Sequence, residues 1–332
     1  MPSVNLSCIL GLHIGVSSRH VAIIEPSGKV LFRNYIEGCQ QERSFSEYKN
    51  LLKDACEAIQ SLVKQAESQG IKRQAIVGGG VVVPGSVDPR HGFVRKSPNL
   101  RGLSDRQLAR DLADALKDTF GRAIPFYVEN DGNGAALAEA HFGAGRGESE
   151  FVAVMLCTGL GGGVFVDGKL YRGHTSMAGE IGHTTVHPNG PLCSCGSKGC
   201  LETLASGRAL MKAARDSTSP LADRENLCYA DLVKAAEEND GEIVEIYRTM
   251  GVYLGIGLAN VINTLNPSKV VLTGHLTRAE RFFVPSAREE MRMRVFAAMD
   301  CELLLSNIQT DWEVLAGLST YLNNTEPNAY RV

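Results

Sequence analysis

Three cysteines in one short segment offer the side chains best suited to bind a metal ion. Cys193, Cys195 and Cys200 follow a C-x-C-x4-C spacing, with glycines between them that allow tight backbone turns. A histidine upstream, His183 or His187, would complete a tetrahedral Cys3His zinc site. The alternatives are reduced thiols in a loop, or a disulfide with one thiol left over. Clustering among turn residues rather than in apolar runs favours the metal.

Acidic and imidazole side chains flank these cysteines. Glu180, His183 and Glu202 provide acceptors that suit the hydroxyls of a sugar. The alternative is a glutamate at a helix start and ordinary surface charge.

A second acidic group lies in the segment Glu129–Asn133, directly after a predicted strand at 126–128 and before a predicted helix at 134–142. Open α/β sheets hold ligands at the carboxyl ends of their strands. Asp131 is therefore a candidate to accept a proton from a substrate hydroxyl. An Asp or Asn that caps the following helix is the alternative.

Two glycine-containing turns follow predicted strands, at 15–18 and 158–163. Glycine turns can present backbone N–H groups to phosphate because no side chain blocks the approach. The 158–163 turn is the better candidate, although it lacks the Lys-Ser/Thr that follows the glycines of a Walker motif. An ordinary Gly-rich hairpin turn is the alternative.

The hydrophobic pattern predicts an α/β fold in which two strands joined by a turn are followed by alternating helices and strands. The same order recurs from residue 151, which indicates a duplicated unit with a largely parallel, mixed sheet in each copy and a ligand cleft between lobes. We expect an N-terminal lobe at 1–130 and a C-terminal lobe at 131–332. The latter would carry the zinc loop at about 183–200, and its last helix is a candidate to pack back on the first lobe. Helices are predicted at 45–70, 105–120, 206–216, 229–238, 240–265 and 278–298.

Composition narrows the class of protein. The chain has 332 residues, 44% of them hydrophobic, with a net charge of −3. Its nine cysteines form no even framework, which favours a reducing compartment. No apolar run is long enough to span a bilayer and no secretory leader is evident, so we expect a cytoplasmic protein. The charge gives no electrostatic footprint for nucleic acid, so a small-molecule substrate is expected.

Together these segments resemble the ROK family, a group of bacterial glucokinases, fructokinases, N-acylhexosamine kinases and sugar-responsive repressors. The similarity covers nearly the whole chain, and the cysteine segment is highly specific to the group. The N-acylmannosamine kinase domain is the subfamily that the chain most resembles. The segments that carry the similarity are 87–89 with 98–100, 129–133, 158–163, 179–183, 193–200 and 266–274.

The resemblance implies a two-lobed actin-like (ribonuclease H-like, duplicated) sugar kinase fold, a homodimer, and transfer of the γ-phosphoryl of ATP to a hexose 6-hydroxyl. Asp131 would be the general base. The implied sugar-binding residues are Gly85, Asn99, Asn130, Asp131, Glu180, His183 and Glu202. The implied residues for Mg-ATP are Gly15, Ser17, Thr158, Gly159, Gly161 and Gly274. His183, rather than His187, would join Cys193, Cys195 and Cys200 around a structural zinc ion.

The chain departs from the family pattern on the nucleotide side. Where the kinases read Asp-x-Gly-Gly-Thr, this chain has His13 and Val16 in place of the Asp and the second Gly. An imidazole is not the hard oxygen ligand that Mg²⁺ prefers, and Val16 adds a branched side chain in the turn. Cys157 and His275 each replace a further glycine of the family pattern.

The departures lie on the nucleotide side while the sugar side is close to complete, and this difference is compatible with two functions. The first is a hexose or N-acylhexosamine 6-kinase of the N-acetylmannosamine or glucose type, with a modified nucleotide site. The second is a sugar-binding sensor or regulator with little or no phosphotransfer. The chain enters its first strand near Ile9, which leaves no room for a helix-turn-helix, so no DNA binding is expected.

Overall fold

The computed structural model describes residues 7–16, 18–37, 47–297, 299–308 and 311–326. They fall into two units. The first takes its described residues from Met1–Gly147, Leu170–Ala178 and Thr310–Val332, and the second takes its described residues from Glu148–Lys169 and Gly179–Gln309. Residues 131–147 thus belong to the first unit rather than the second, because the helix they form packs against the last helix and against a strand of the first sheet.

The strands are β1 (Cys8–Ile14), β2 (Ser18–Ile24), β3 (Val30–Glu37), β4 (Ile76–Val83), β5 (Ser86–Asp88), β6 (Phe93–Lys96), β7 (Phe126–Asn130), β8 (Phe151–Leu156), β9 (Leu160–Val166), β10 (Lys169–Tyr171), β11 (Lys269–Thr273) and β12 (Glu302–Leu305). The helices are α1 (Tyr48–Ser68), α2 (Leu108–Ala115), α3 (Lys117–Phe120), α4 (Asp131–Phe142), α5 (Glu202–Ala205), α6 (Gly207–Arg215), α7 (Tyr229–Glu237), α8 (Gly241–Leu265), α9 (Glu280–Arg294) and α10 (Trp312–Thr325). None of the helices in this part of the chain is long and apolar enough to cross a bilayer.

Both large sheets repeat one strand order, β3-β2-β1-β4-β7 in the first and β10-β9-β8-β11-β12 in the second. In the first, β2 pairs antiparallel with β1 and β3, whereas β4 pairs parallel with β1 and β7. In the second, β8 is antiparallel to β9 and parallel to β11, which is parallel to β12. The expected duplicated α/β fold of the actin-like class, with two mixed sheets, is confirmed.

Each unit has its own apolar core. In the first, α1 and α2 cover one face of the sheet with buried leucine, isoleucine and alanine side chains. In the second, α8 and α9 lie side by side and their buried side chains pack with those of β8 and β11. This burial explains why the near-continuous apolar strands of both sheets form.

The structure differs from the expected helix at 105–120 in two ways. Val94 and Arg106 exchange both backbone hydrogen bonds, at 2.9 and 3.1 Å, which delays the helix start to Leu108. Leu116, with φ −101° and ψ 1°, then separates α2 from α3. The helix expected at 278–298 begins at Glu280 and ends at Arg294, because Val295 takes an extended conformation.

The backbone of helix α10 lies close to the backbones of β1 and β4 in the first sheet. A side chain at Gly80 in β4 would overlap the carbonyl oxygen of Gly317 and lie 2.8 Å from the amide nitrogen of Tyr321. Glycine is therefore required here by close packing.

We expect Gly80→Ala to lower the free energy of unfolding by about 3 kcal/mol, because the added methyl group separates α10 from the sheet. Thermal unfolding measures the change. Gly241→Ala is the control, since a Cβ there meets nothing within 4 Å and should change stability by less than about 0.5 kcal/mol. Equal melting temperatures for the two variants would contradict the close approach.

Candidate functional site

The junction between β7 and α4 holds the candidate base. Asn130 caps the helix, its Oδ1 accepting a hydrogen bond from the Asn133 amide at 3.1 Å. Asp131 is the first helical residue, and its Oδ1 accepts hydrogen bonds from the Gly132 amide at 3.0 Å and from Asn130 Nδ2 at 3.2 Å. The capping role that the sequence left open thus belongs to Asn130. Two donors and the helix N-terminus suit an ionised Asp131 carboxylate that can accept a proton.

Gly85 lies beside this junction. The Asn130 Nδ2 group donates to the Gly85 carbonyl oxygen at 3.1 Å. Gly85 has φ +112°, and a side chain there would overlap the Lys96 carbonyl oxygen, so the position requires glycine. The structure therefore brings Gly85, Asn130 and Asp131 together in the first unit.

Asn99 is exposed and follows β6 in the same unit. Its segment is anchored by the buried hydroxyl of Ser97, which donates to the Pro84 carbonyl oxygen at 2.7 Å. Pro84 immediately precedes Gly85, so the segments that carry Asn99 and Gly85 are joined by this hydrogen bond.

An ion pair that the sequence does not reveal lies next to the candidate base, and its carboxylate is buried. Glu129 is 1% exposed, and its Oε2 accepts hydrogen bonds from Arg172 Nε at 2.9 Å and Arg172 Nη2 at 2.7 Å. A buried carboxylate needs a charged or hydrogen-bonding partner, because its removal from water costs free energy. Spacing alone does not select Arg172 from the other arginines.

The cysteine segment of the second unit forms the expected cluster. Ligand atoms of His183, Cys193, Cys195 and Cys200 all lie within 4.8 Å of one another. Cys195 Sγ is 3.7 Å from Cys200 Sγ, and His183 Nδ1 is 3.5 Å from Cys193 Sγ. Ligands at the corners of a zinc tetrahedron with Zn–S bonds of about 2.3 Å stand about 3.8 Å apart, so the donor set fits Zn²⁺.

His187, the rival fourth ligand, contributes to the loop through its backbone. The amide nitrogens of Val186 and His187 both donate to the Gly199 carbonyl oxygen, at 2.9 and 3.2 Å. Gly199 has φ +65°, and a side chain there would overlap the His187 carbonyl oxygen. The His187 ring stacks on Tyr253 at a centroid distance of 6.0 Å and is not among the four clustered ligands.

The His183 ring presents its two nitrogens to different groups. Nδ1 faces the sulfur atoms, while Nε2 lies 3.9 Å from Glu180 Oε2. The pKa of Glu180 is raised because burial removes its carboxylate from water, an effect that Glu202 strengthens and His183 opposes. The three polar residues expected to bind sugar from the second unit are thus neighbours of the cluster.

Glu202 also contacts the glycine turn of the second unit. Its Oε2 accepts a hydrogen bond from the Leu160 amide at 3.1 Å and would lie 2.6 Å from a Cβ at Gly159. The tight turn itself is short, closed by the Cys157 amide donating to the Gly159 carbonyl oxygen at 3.0 Å. Thr158 accepts a hydrogen bond from the Arg208 amide at 3.0 Å, at the start of α6.

The expected phosphate turn at 158–163 is therefore shorter than the sequence indicates. Gly161, assigned to that turn, lies within β9 and pairs with Met155 of β8. Close packing explains why the next residue, Gly162, is a glycine. A Cβ there would lie 2.7 Å from Ile181 Cδ1 and 3.0 Å from the Gly179 carbonyl oxygen. The glycine run lets the segment with Glu180 and His183 pack closely on β9.

His13 covers the glycine turn of the first unit. It is 8% exposed, and its ring packs 5.3 Å from Trp312 and 5.8 Å from His20 between centroids. A Cβ at Gly15 would lie 2.7 Å from His13 Cε1, and the Gly15 amide donates to the Ser18 carbonyl oxygen at 2.9 Å. Ser17, the other residue assigned to nucleotide binding here, lies outside the described residues.

The remaining departures from the family pattern lie together in the second unit. Gly274 has φ +93°, and a Cβ there would lie 2.8 Å from Cys157 Sγ. The ring of His275 packs 5.0 Å from that of Tyr229. Burial, with a smaller contribution from Arg278, lowers the pKa of His275 to about 4, so the imidazole is neutral at pH 7.

Comparisons with known proteins define the class. The ROK family profile matches residues 9–317, so the chain belongs to the ROK family. It is 31% identical to the glucokinase of Thermotoga maritima over 88% of both chains. A ROK family glucokinase from Streptomyces griseus, solved with glucose and AMPPNP, superposes with a TM-score of 0.80 at 25% identity, covering 95% of this chain and 99% of that one.

Regulators are also similar to this chain. The xylose repressor of Bacillus subtilis is 34% identical over 70% of this chain. The match spans 58% of that repressor's length. Family membership therefore admits both sugar kinases and sugar-responsive regulators.

Proposed function

We propose that this protein binds a hexose or N-acylhexosamine and transfers the γ-phosphoryl group of ATP to its 6-hydroxyl, with Asp131 as the general base. The observation that carries the proposal is the Gly85–Asn130–Asp131 arrangement, in which the Asp131 carboxylate is fixed by two donors at a helix N-terminus. Similarity to ROK glucokinases supports the same reaction. N-acetylmannosamine and glucose are the proposed types of acceptor.

In the proposed mechanism, the sugar 6-oxygen attacks the γ-phosphorus in line as its proton passes to the Asp131 carboxylate. An oxygen–phosphorus bond forms, the bond to the β,γ-bridging oxygen breaks, and ADP leaves. Mg²⁺ bound with ATP would neutralise charge on the phosphates. Asn130 fixes the Asp131 carboxylate through the hydrogen bond from its Nδ2.

The polar residues of the second unit would bind the sugar hydroxyls. Glu180 and Glu202 offer acceptor oxygens, and His183 Nε2 remains available when Nδ1 binds the metal. The Cys3His cluster would hold zinc in a structural role, because four protein ligands leave no open coordination position. Asn99, in the first unit, would add an amide contact to the sugar. A homodimeric assembly, the cytoplasmic location and the absence of DNA binding remain predictions. The nucleotide contacts also remain predictions, and the residues proposed for them are Gly15, Ser17, Thr158, Gly159, Gly161 and Gly274.

A sugar sensor without phosphotransfer is the second candidate, favoured by one observation. His13 occupies the place of the family's metal-side Asp, and its ring folds over the Gly15 turn. This arrangement offers no carboxylate to Mg²⁺ on that turn.

One experiment separates the two candidates. A coupled assay for ADP release is run with glucose, N-acetylmannosamine, N-acetylglucosamine, mannose and fructose, beside thermal shift with the same sugars and with Mg-ATP. We expect ADP release that depends on one of the sugars. Stabilisation by a sugar with no turnover, and no shift with Mg-ATP, would establish the sensor instead.

Restoring the family residues should raise turnover. We expect the double variant His13→Asp, Val16→Gly to release ADP at least about tenfold faster, because a carboxylate regains a charge-assisted interaction worth about 1.5–3 kcal/mol. Thermal unfolding shows whether the variant is folded, since His13 packs on Trp312. Unchanged ADP release from a folded double variant would show that these two positions do not limit the reaction.

A further inference from the structure

The Glu129 carboxylate uses both of its oxygens in different directions. Oε2 accepts two hydrogen bonds from the Arg172 guanidinium, at 2.9 and 2.7 Å. Oε1 accepts from the Asn130 amide at 3.0 Å and from Asn133 Nδ2 at 3.2 Å. A carboxylate with 1% exposure depends on such partners, so the guanidinium fixes the rotation of the group that holds the first turn of α4.

A continuous set of contacts leads from the guanidinium to the candidate base. Glu129 holds the Asn130 backbone, and the Asn130 side chain donates to Asp131 Oδ1 at 3.2 Å and to the Gly85 carbonyl oxygen at 3.1 Å. We propose that Arg172 is a positioning residue for Asp131, acting through Glu129 and Asn130. The proposal rests on the function proposed above for Asp131.

A purely structural role for Arg172 is the competing explanation, because the arginine lies on a segment that is also anchored elsewhere. Arg95 donates to the Thr175 carbonyl oxygen at 2.8 Å and pairs with Asp88 at 2.8 Å. The two arginines thus hold the same segment, 172–178, but only Arg172 contacts Glu129 among the contacts described. Arg95→Met is therefore the matched control for Arg172→Met.

Loss of the guanidinium leaves a buried carboxylate without its cation. Glu129 then rotates or takes up a proton, and Asn130 no longer holds Asp131 in its present direction. Misplacement of a reacting group by about 1 Å can cost about 100-fold in rate. We expect Arg172→Met to lower kcat about 30-fold and to raise the sugar KM about threefold.

The pH dependence of kcat/KM distinguishes the two explanations, because a purely structural role for Arg172 would leave it unchanged. Weaker donation from Asn130 and the loss of a nearby positive charge both disfavour the ionised Asp131 carboxylate. The acidic limb of the kcat/KM profile should therefore move to higher pH in Arg172→Met. Arg172→Lys keeps the charge and can donate at least one hydrogen bond to Glu129, so it should recover most of kcat, whereas Arg95→Met should change kcat less than twofold.

Steady-state kinetics on the full chain, with its native metal content, test the proposal. Wild-type kcat and an unshifted profile in folded Arg172→Met, or an equal loss in Arg95→Met, would overturn it. If the wild type binds sugar without turnover, the kinase proposal fails while the positioning proposal still requires a sugar Kd about threefold weaker in Arg172→Met alone. If no sugar binds, amide exchange of residues 129–134 must increase in Arg172→Met and not in Arg95→Met; equal exchange would overturn the proposal.

Discussion

Asp131→Asn should abolish sugar-dependent ADP release, lowering kcat by about 10²–10⁴-fold, the range that a positioned general base supplies. The amide has nearly the shape of the carboxylate but cannot take the proton from the attacking hydroxyl. Sugar affinity should change only a few-fold, because the other proposed sugar contacts remain. Coupled kinetics and calorimetry on the same preparation measure the two quantities.

Asp114→Asn is the matched control for this variant. Asp114 lies on α2 of the same unit, its side chain is 71% exposed, and it pairs with Arg110 on the helix surface. It should retain full activity. Residual turnover in Asp131→Asn above about a tenth of wild type would remove Asp131 from the role of base.

Cys200→Ser should remove the metal and destabilise the second unit. Cys200 is fully buried and its Sγ lies 3.7 Å from Cys195 Sγ, so a serine would leave three ligands and a buried hydroxyl. Zinc content should fall from one ion per chain to a small fraction, and the free energy of unfolding should drop by several kcal/mol, since metal binding energy contributes directly to folding. Sugar affinity should fall with it, because Glu180 and His183 lose the loop that orients them. Metal analysis, thermal unfolding and calorimetry report the three effects.

The zinc affinity of the cluster should also depend on pH. Burial, followed by the neighbouring thiols, raises the pKa of metal-free Cys200 to about 12, so the thiol is protonated at neutral pH and zinc binding must release its proton. Zinc affinity should therefore rise with pH and weaken on acidification. Cys228→Ser, at an exposed cysteine outside the cluster, is the control and should leave zinc content unchanged. A metal-free Cys200→Ser protein with wild-type sugar affinity would show that the metal site does not orient Glu180 and His183.

The sequence identified groups that act locally and missed those that depend on distant contacts. The zinc-type spacing and the residues around Asp131 are read from short segments, and the structure brings each of these groups together. The partner of Glu129 is 43 residues away along the chain, and no local pattern points to Arg172.

The predicted extent of the glycine turn, 158–163, is wrong for a similar reason. Glycines suggest an open turn, but Gly161 and Gly162 lie in β9, and Gly162 is required by the packing of Ile181. A glycine that makes room for a neighbouring segment looks the same in sequence as one that makes room for phosphate. The boundary of the first unit likewise depends on the packing of α4 against α10, which periodicity does not reveal.

The repeated strand order gives the molecule an internal reference. Gly85 follows β4 and Gly274 follows β11, which are corresponding strands of the two sheets, and both glycines have positive φ, +112° and +93°. The residues that follow the last strand of each repeat differ: Asp131 comes directly after β7, whereas Ser306, which has no carboxylate, comes directly after β12. The duplicated scaffold thus has an acid directly after this strand in one copy and a serine in the other. Corresponding positions of the two repeats can therefore be compared to see which residues have diverged.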